Sequence, residues 1–428
     1  MARAKKETAL TPEVRLQAAL VPDWEWPYKL PENWCWLKLV ESFDNHTDSK
    51  KKIKQKDYLV KGKLAVVDQG QELIGGYTND VEKSYSGALP IVIFGDHTRC
   101  IKFVDFPFAQ GADGVKVLRP KPFYLPKAFY YALQSVNIPN LGYRRHFPLF
   151  NKFSIPLPPF AEQQRIVDRI ESLFDKLDEA KEKAQAVVDS FETRKAAILH
   201  KAFTGELTAK WREEHGVSID NWKTTRFDSV ATIRSNLVDP AEYQSFPHIA
   251  PDNIEKKTGV LLEYHTIAED GVTSGKHRFY SGQILYSKIR PYLSKAVVVD
   301  FDGLCSADMY PIEAYQNARC LWYYMLSDEF LLQASTAGSR SVLPKINQKE
   351  LSALTVHLPT NDREQEEIAR ILDELFDKEQ QTKEAAEAVL DQIDLMKKSI
   401  LARAFRGELG TNDPSEESAM ELLKQTIL

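Results

Sequence analysis

The side chains best suited to chemistry are lysines and arginines, which occur in short clusters among glycines and aromatic residues. Ammonium and guanidinium groups bind phosphates, and a guanidinium can also read guanine through two hydrogen bonds. An isolated basic pair is more typical of solvated surface, whereas for the clusters at 142–146, 288–292 and 340–345 both interpretations stay open at this point. The residues selected from these clusters are Arg99, Tyr143, Arg144, Arg145, Lys276, Arg278, Lys288, Arg290, Tyr292, Arg340 and Lys345.

One further basic run, from Lys50 to Lys56, lacks neighbouring glycines. It is more typical of a disordered or phosphate-contacting loop than of a base-reading one. Catalytic signatures are missing from the sequence: it contains no phosphate-binding GxxxxGK[ST] loop, no amino-methyltransferase tetrapeptide and no glycine-rich nucleotide fingerprint. The nine histidines are scattered, without metal-ligand spacing. We therefore expect no catalytic residues, no metal and no cofactor in this chain.

The elements that must position these clusters are revealed by an internal repeat. Residues 162–207 align on residues 364–409 at a constant offset of 202, and 21 of the 46 pairs are identical. Both copies end in Gly-Glu-Leu, so a whole element is duplicated together with its terminus. A repeat this long dictates the architecture.

Each copy has apolar residues at spacings of three, four and seven, which predicts one long amphipathic helix. Such a helix is not stable alone in water, and its simplest partner is the other copy in an antiparallel pair. Packing on separate globular domains, or against another chain, is the alternative. The predicted helix-pair interface comprises Ile166, Ile170, Leu173, Leu177, Val187, Phe191, Ile198, Ile368, Leu372, Leu375, Val389, Ile393 and Ile400.

A globular segment precedes each helix, and alternating β-type runs mixed with short helices predict mixed α/β domains. These segments are also faintly duplicated: Glu32-Asn33-Trp34 recurs as Asp220-Asn221-Trp222. The whole chain has a net charge of −5, whereas the helices and the tail carry −9, so the remainder carries +4. The sum argues against indiscriminate coating of nucleic acid, and the distribution places the positive charge outside the helices.

At this point the chain resembles the specificity subunits of type I restriction-modification systems. The resemblance covers nearly the whole chain and depends on the LPENW entry at 30–34, the LPPFAEQQRIV run at 157–167, the GQILYSKIRPYLSK run at 282–295 and the GSRSVLPKIN run at 338–347. The first of these motifs is partly degraded in the second copy. Any one motif is weak, but their repeated order is specific.

The resemblance implies an α+β fold with two mixed α/β target-recognition domains separated by two long antiparallel helices, which form a coiled-coil spacer with a pseudo-twofold repeat. The expected boundaries are 1–21 for an N-terminal extension, 22–158 and 211–358 for the recognition domains, 159–210 and 359–410 for the spacer helices, and 411–428 for a C-terminal tail. A short helix is predicted from Ala419 to Leu428.

By the same resemblance, each domain reads one half of a bipartite site in double-stranded DNA, and the helices set the spacing and dock two methyltransferase subunits. S-adenosylmethionine belongs to those partners, and two motor-nuclease subunits join the complex. Four separated cysteines, the absence of a secretory signal and the absence of a long apolar run favour the cytoplasm. The alternatives are a duplicated coiled-coil scaffold that never meets DNA, and a subunit of a modification-only or phage-defence system.

Overall fold

The computed structural model describes residues 11–337 and 344–427. The chain divides into two compact units, one formed by residues 1–183 and 389–428, the other by residues 184–388. Domain 1 (residues 22–158) belongs to the first unit and domain 2 (residues 211–358) to the second. No helix in the described part of the chain is long and apolar enough to cross a membrane.

Domain 1 is built from two small sheets and a two-stranded ribbon. The four-stranded sheet has the order β2-β8-β5-β6, the three-stranded sheet β4-β3-β7, and the ribbon pairs β1 with β9. Strands β3 and β7 are parallel, whereas the other pairs are antiparallel. The strands are β1 (Cys35–Lys38), β2 (Phe43–Asn45), β3 (Leu64–Val67), β4 (Gly76–Thr78), β5 (Ile91–Gly95), β6 (Ile101–Val104), β7 (Phe108–Gln110), β8 (Val115–Pro120) and β9 (Ser154–Leu157).

Domain 2 repeats this plan and extends it. Its four-stranded sheet has the order β11-β19-β16-β17, its ribbon pairs β10 with β20, and its third sheet has five strands in the order β12-β15-β18-β13-β14. The parallel pair is again present, between β13 and β18. The strands are β10 (Trp222–Arg226), β11 (Ala231–Ile233), β12 (Leu237–Val238), β13 (Pro247–Ile249), β14 (His265–Thr266), β15 (Lys276–Phe279), β16 (Ile284–Ser287), β17 (Ala296–Val298), β18 (Gly303–Cys305), β19 (Met309–Ala314) and β20 (Thr355–Pro359).

The helices include the two long ones that the repeat predicts. They are α1 (Pro12–Ala19), α2 (Pro126–Ser135), α3 (Phe160–Asp189), α4 (Phe191–Phe203), α5 (Ala209–His215), α6 (Ala318–Met325), α7 (Asp328–Ala337), α8 (Gln348–Ala353), α9 (Asp362–Ala404) and α10 (Ala419–Ile427). The short C-terminal helix α10 was predicted; it buries Ala419 and Leu423 in the core of the first unit.

The first long helix is divided at Ser190, where the repeat predicted a single rod. The Ser190 hydroxyl donates to the carbonyl of Ala186 at 2.6 Å, and a hydroxyl that bonds back to the preceding turn competes with the regular helix ladder. Gln392, the residue at the corresponding place in α9, has no such bond among the described residues, and α9 continues through 43 residues. The local difference therefore follows from one side chain that the repeat does not share.

Within each unit the two long helices pair antiparallel, through equivalent residues. In the first unit Lys397 lies 5.1 Å from the ring centre of Phe174 and its ammonium group is 2.6 Å from a carboxylate oxygen of Asp178. In the second unit Lys195 lies 5.5 Å from the ring centre of Phe376. Both pairs are related by the offset of 202, so the repeat preserves the contact between the helices and the predicted fold class is confirmed.

The long helices pack on the domains as well as on each other. The predicted helix pair and the alternative of packing on separate globular domains therefore both occur. Ile166 and Ile170 are fully buried in the core of domain 1, and Ile368 and Leu372 in the core of domain 2. Phe191 and Ile393 are buried, whereas Val389 is 40% exposed and adds little to a buried seam. The remaining predicted interface residues, which are Leu173, Leu177, Val187, Ile198, Leu375 and Ile400, are half-buried.

A buried glutamate explains why each domain begins with a tryptophan. The Glu162 carboxylate accepts from the Trp34 indole nitrogen at 2.7 Å and from the Asn412 amide at 2.9 Å. The carboxylate of Glu364 likewise accepts from the Trp222 indole nitrogen at 3.0 Å. One side chain at the start of each long helix thus ties the helix to the first strand of its domain.

Candidate nucleic-acid interface

Two of the selected lysines of domain 2, Lys288 and Lys345, face the carboxylate of Asp308. Its oxygen lies 3.3 Å from the ammonium nitrogen of Lys345 and 3.8 Å from that of Lys288. The backbone fixes this arrangement, because Ile346 donates to the carbonyl of Lys288 and Lys288 donates to the carbonyl of Asp308. Residues 344–347, the described part of the second motif, therefore meet the run at 282–295 beside the loop that joins β18 to β19.

Lys276, on β15, belongs to the same cluster but is only 7% exposed. Its ammonium group donates to the hydroxyl and the carbonyl of Ser274, at 2.7 and 3.1 Å. Burial lowers the pKa of Lys276, and the nearby Asp308 partly offsets that effect. Burial, with a smaller contribution from Lys288, also lowers the pKa of the adjacent His277. Lys276 therefore forms part of the buried base of the cluster and exposes little of its charge to solvent.

Arg278 is held between aromatic rings, two residues along the same strand. Its guanidinium carbon lies 4.9 Å from the ring centre of Tyr280, 5.4 Å from that of Tyr243 and 5.9 Å from that of Phe246. Stacking of this kind restricts a long side chain to one orientation. The cage thus preorganises a planar donor group, which is the geometry that bidentate recognition of a base requires.

Arg290 and Tyr292 lie in the loop between β16 and β17, and both side chains are exposed. Arg290 has a φ of 48°, in the left-handed region that costs energy for a residue with a side chain. Its amide donates to the carbonyl of Pro344 at 2.8 Å, which ties this loop to the segment that follows residue 343. Arg340 lies outside the described residues.

In domain 1 the corresponding side chains are presented by the loop before β9. The Asp96 carboxylate accepts from the amides of His146 and Phe147 at 2.9 and 2.7 Å, and so fixes the end of this loop. The Tyr143 ring is 86% exposed and stacks on the imidazole of His97, with 4.8 Å between ring centres.

Arg144 and Arg145 follow Tyr143 and are exposed; within the described residues their guanidinium groups have neither a hydrogen bond nor an ion pair. Arg99 differs from them, because its guanidinium donates to the carbonyl of Ile138 at 3.0 Å. The loop after β5 therefore uses Arg99 partly as a brace, whereas Arg144 and Arg145 are available to a partner.

The fold places most of these side chains at equivalent ends of the repeated four-stranded sheet. In domain 1 they follow β5 and precede β9; in domain 2 Lys288, Arg290 and Tyr292 follow β16 and Lys345 precedes β20. Lys276 and Arg278 are the exception, because they lie on β15 of the five-stranded sheet. The sequence analysis did not identify Asp96 and His97, which hold the loop of Tyr143 through hydrogen bonds and ring stacking. Their signal was available: a short Asp-His pair directly after a fully apolar strand, where a tight loop must begin.

Comparisons with known proteins agree on one family. The family model described as the type I restriction modification DNA specificity domain matches residues 31–188 and again 219–390. The specificity subunit of the type I restriction enzyme EcoDI from Escherichia coli is 38% identical over 318 residues, which are 68% of this chain and 71% of that protein. The EcoKI specificity subunit of Escherichia coli K12 is 25% identical over 289 residues, which are 61% of this chain and 58% of that protein.

Solved structures show the same fold at low sequence identity. The HsdS subunit from Thermoanaerobacter tengcongensis matches with a TM-score of 0.57 and 18% identity, over 90% of this chain and 99% of that one. A chain from a structure of complex assembly in a type I restriction-modification system matches with a TM-score of 0.62 and 17% identity, over 89% and 100% of the two chains. Since the family model covers most of the sequence in two copies, the chain belongs to the family of type I restriction-modification DNA specificity subunits.

Proposed function

We propose that this chain reads a bipartite site in double-stranded DNA, with domain 1 on one half-site and domain 2 on the other. The observation that carries the proposal is the repeated placement of basic and aromatic side chains on equivalent loops of two domains that share a topology. A rigid scaffold with exposed loops at one edge is a common way to build a binding surface. Each domain then needs only its own loop residues to select a sequence.

The chain supplies recognition, and its partners supply chemistry. Two methyltransferase subunits bind S-adenosylmethionine and transfer its methyl group, and two motor-nuclease subunits complete the restriction complex, which operates in the cytoplasm. In support, the side chains at the candidate interface are mainly cations and aromatic rings, which suit binding.

The long helices are proposed to dock the methyltransferase subunits and to set the spacing of the two half-sites. Helix α9 exposes Leu395 by 64%, Met396 by 47% and Val389 by 40%. Large apolar side chains that remain exposed along one helix are typical of a surface that another protein covers. Their position in the helix that links the two units suits a contact shared with a partner subunit.

The test is to map methylated adenines in DNA from cells that express this chain with its cognate methyltransferase subunit. A methylated split motif with an unread spacer is the expected result. Unmodified DNA from cells in which the subunits are folded and associated would contradict the proposal. In that case salt-dependent duplex binding by the purified complex separates two rivals: its absence indicates a scaffold, and its presence indicates a reader that serves another effector.

A further inference from the structure

Domain 1 carries a second basic surface, separate from the loop of Tyr143, which we call the lysine arm and define as residues 50–63. It contains seven lysines and a single acidic residue, Asp57. Five of these lysines are exposed, namely Lys50, Lys54, Lys56, Lys61 and Lys63. The many charges of one sign in this segment repel one another, so the segment keeps a fixed conformation only if other contacts hold it.

Two backbone anchors hold the lysine arm on the three-stranded sheet. Ile53 is buried; its amide donates to the carbonyl of Gln110 at 2.9 Å, and its carbonyl accepts from the amide of Ala112 at 2.8 Å. Leu59 exchanges two hydrogen bonds with Tyr77, at 2.8 and 2.9 Å. Lys54 and Lys56 lie between the anchors and Lys61 lies just beyond the second, so their positions are fixed by the fold.

Gly76 permits the second anchor. A Cβ atom at Gly76 would lie 2.8 Å from the Cβ atom of Tyr58, which is closer than side chains approach one another. The arm therefore rests directly on the backbone of β4. This close approach makes the arm a built feature of domain 1.

The lysines of the arm divide into those that hold it and those that are available. Lys51 donates to the carbonyl of Ser84 at 3.0 Å, and Lys52 lies 3.9 Å from a carboxylate oxygen of Asp113. For the five exposed lysines, residues 11–337 and 344–427 provide no hydrogen bond or ion pair to the ammonium group. Five cations thus project from an anchored segment without a counter-charge.

The lysine arm adjoins the loop that presents Tyr143. Lys52 contacts Asp113, and the next residue, Gly114, accepts at its carbonyl from the amide of Asp96 at 2.6 Å. Asp96 in turn fixes the loop of Tyr143 through its carboxylate. A duplex that reached Tyr143 would therefore have the arm beside it.

Domain 2 has no counterpart of the arm. The residues that precede its equivalent strand β13, residues 235–246, contain no lysine or arginine and include Asp239 and Glu242. Between the predicted boundaries, domain 1 has 19 basic and 14 acidic residues and carries +5, whereas domain 2 has 15 basic and 18 acidic residues and carries −3. The positive charge that lies outside the helices therefore belongs to domain 1 and the N-terminal extension.

We propose that the lysine arm binds the phosphate backbone of duplex DNA without reading bases, and that domain 1 thereby supplies most of the salt-dependent affinity of the complex. This inference rests on the proposed DNA-reading function and adds a division of labour between the domains. Lysine is a mobile point charge that suits phosphates, whereas base reading favours the planar groups found elsewhere on both domains. The arm holds the duplex while the loops test its sequence.

The test compares two triple variants of the full chain, each assembled with its methyltransferase subunits. One variant carries Lys54→Gln, Lys56→Gln and Lys61→Gln; the matched control carries Lys29→Gln, Lys38→Gln and Lys152→Gln, three exposed lysines elsewhere in the same unit. The binding constant for duplex DNA is measured over a range of salt concentrations. Because each phosphate contact contributes about 0.9 to the slope of log K against log salt, the arm variant should lose up to about 2.7 of that slope.

The control should keep the wild-type slope, and both variants should methylate the same motif as the wild type. An arm variant with an unchanged slope would overturn the inference while leaving the proposed function intact. If the arm variant methylated a different motif, the arm would take part in base reading. If the arm variant failed to assemble with the methyltransferase subunits, the arm would take part in subunit docking. Either result overturns the inference. A wild-type complex without duplex binding would contradict the proposed function itself.

Discussion

Domain 1 and domain 2 share a strand order but carry their cations differently. Domain 1 presents Arg144, Arg145 and the five exposed lysines of the lysine arm without counter-charges among the described residues, whereas domain 2 places lysines around Asp308 and stacks Arg278 among three rings. Unpaired charges act at long range and depend on salt, while caged ones act at short range and depend on geometry. The comparison teaches that one scaffold supports two recognition strategies, because only its loops and two extra strands, β12 and β15, differ.

One of the two extra strands, β15, is the physical source of that difference. In domain 2, β15 pairs with β18 and carries both Lys276 and Arg278 into the middle of a five-stranded sheet. In domain 1 the same place is taken by a single bridge between Ser84 and Ala109. Domain 1 lacks a strand that could bury and orient a cation there, so its positive charge lies at the surface.

The largest expected difference between the domains concerns their buried glutamates. Glu364 accepts from Arg212, whose guanidinium is 11% exposed, whereas hydrogen bonds to Glu162 come from neutral groups among the described residues. Glu364→Gln leaves Arg212 without its counter-charge and should lower the free energy of unfolding by about 3 kcal/mol. Glu162→Gln should cost about 1–2 kcal/mol. Hydrogen exchange of the full chain, resolved by peptide, measures both.

The pH dependence of the stability that Glu364 provides is a control for this comparison of the two glutamates. Burial opposes ionisation of Glu364, but the donors Arg212, Asn221, Thr208 and Trp222 together hold its pKa below the usual 4.5. An unfolded Glu therefore binds its proton first, and the stabilisation is present above pH 4.5 and is lost as the pH falls through the lowered pKa. In the Glu364→Gln variant, the stability of domain 2 should lack this acid sensitivity. Equal losses of stability in the two variants would mean that Arg212 does not distinguish the domains.

The second difference concerns base reading. Arg278→Lys keeps the charge but removes the planar fork that the aromatic cage orients, so specific binding should weaken by about 1–3 kcal/mol. Arg144→Lys, at an exposed position of domain 1, should change binding little if that residue contacts phosphate. Binding constants for the methylated motif and for random DNA distinguish the two roles. A loss on random DNA that matched the loss on the motif would make Arg278 a phosphate contact.

A third difference appears in the two lysines that the repeat makes equivalent. Burial lowers the pKa of Lys195 to about 8, an effect that Glu192 and Glu255 partly offset, and its ammonium group donates to the carbonyls of Lys257 and Thr258. The unfolded chain binds more protons than the folded one between pH 8 and the ordinary value of 10.5. The free energy of unfolding of the second unit should therefore rise over that window, by about 3 kcal/mol.

Lys195→Met should remove that rise, and Lys397→Met should leave it in place. Chemical denaturation at several pH values, followed by the fluorine NMR signal of Trp322 in fluorotryptophan-labelled protein, reports on the second unit. A rise that persisted in Lys195→Met would assign the titration to another group.

The repeat at an offset of 202 was enough to predict the long helices and their antiparallel pairing, and alternating β-type runs predicted the two mixed α/β domains, because periodicity and punctuation can be read from the sequence. The break at Ser190 and the exposure of Val389 were not predictable, since each depends on how one side chain meets its surroundings. The candidate site was predicted as basic clusters, but their division into caged, paired and unpaired cations follows from contacts between distant residues. Lys276 shows this: its neighbours in sequence are polar, yet strand pairing buries it.

The smallest expected effect tests whether counter-charges alone keep domain 2 from behaving like domain 1. Asp308→Asn removes the carboxylate that Lys345 and Lys288 face, so their ammonium groups become available to phosphates. Binding to random DNA should strengthen by about two- to fivefold, the range expected for a partly exposed ion pair, while binding to the methylated motif should change less. Asp300→Asn, which removes an exposed carboxylate from the same domain, is the matched control and should have a weaker effect. Weaker binding of the Asp308 variant to both DNAs would mean that the carboxylate positions the lysines for reading, and the contrast between the domains would then be one of geometry more than of charge.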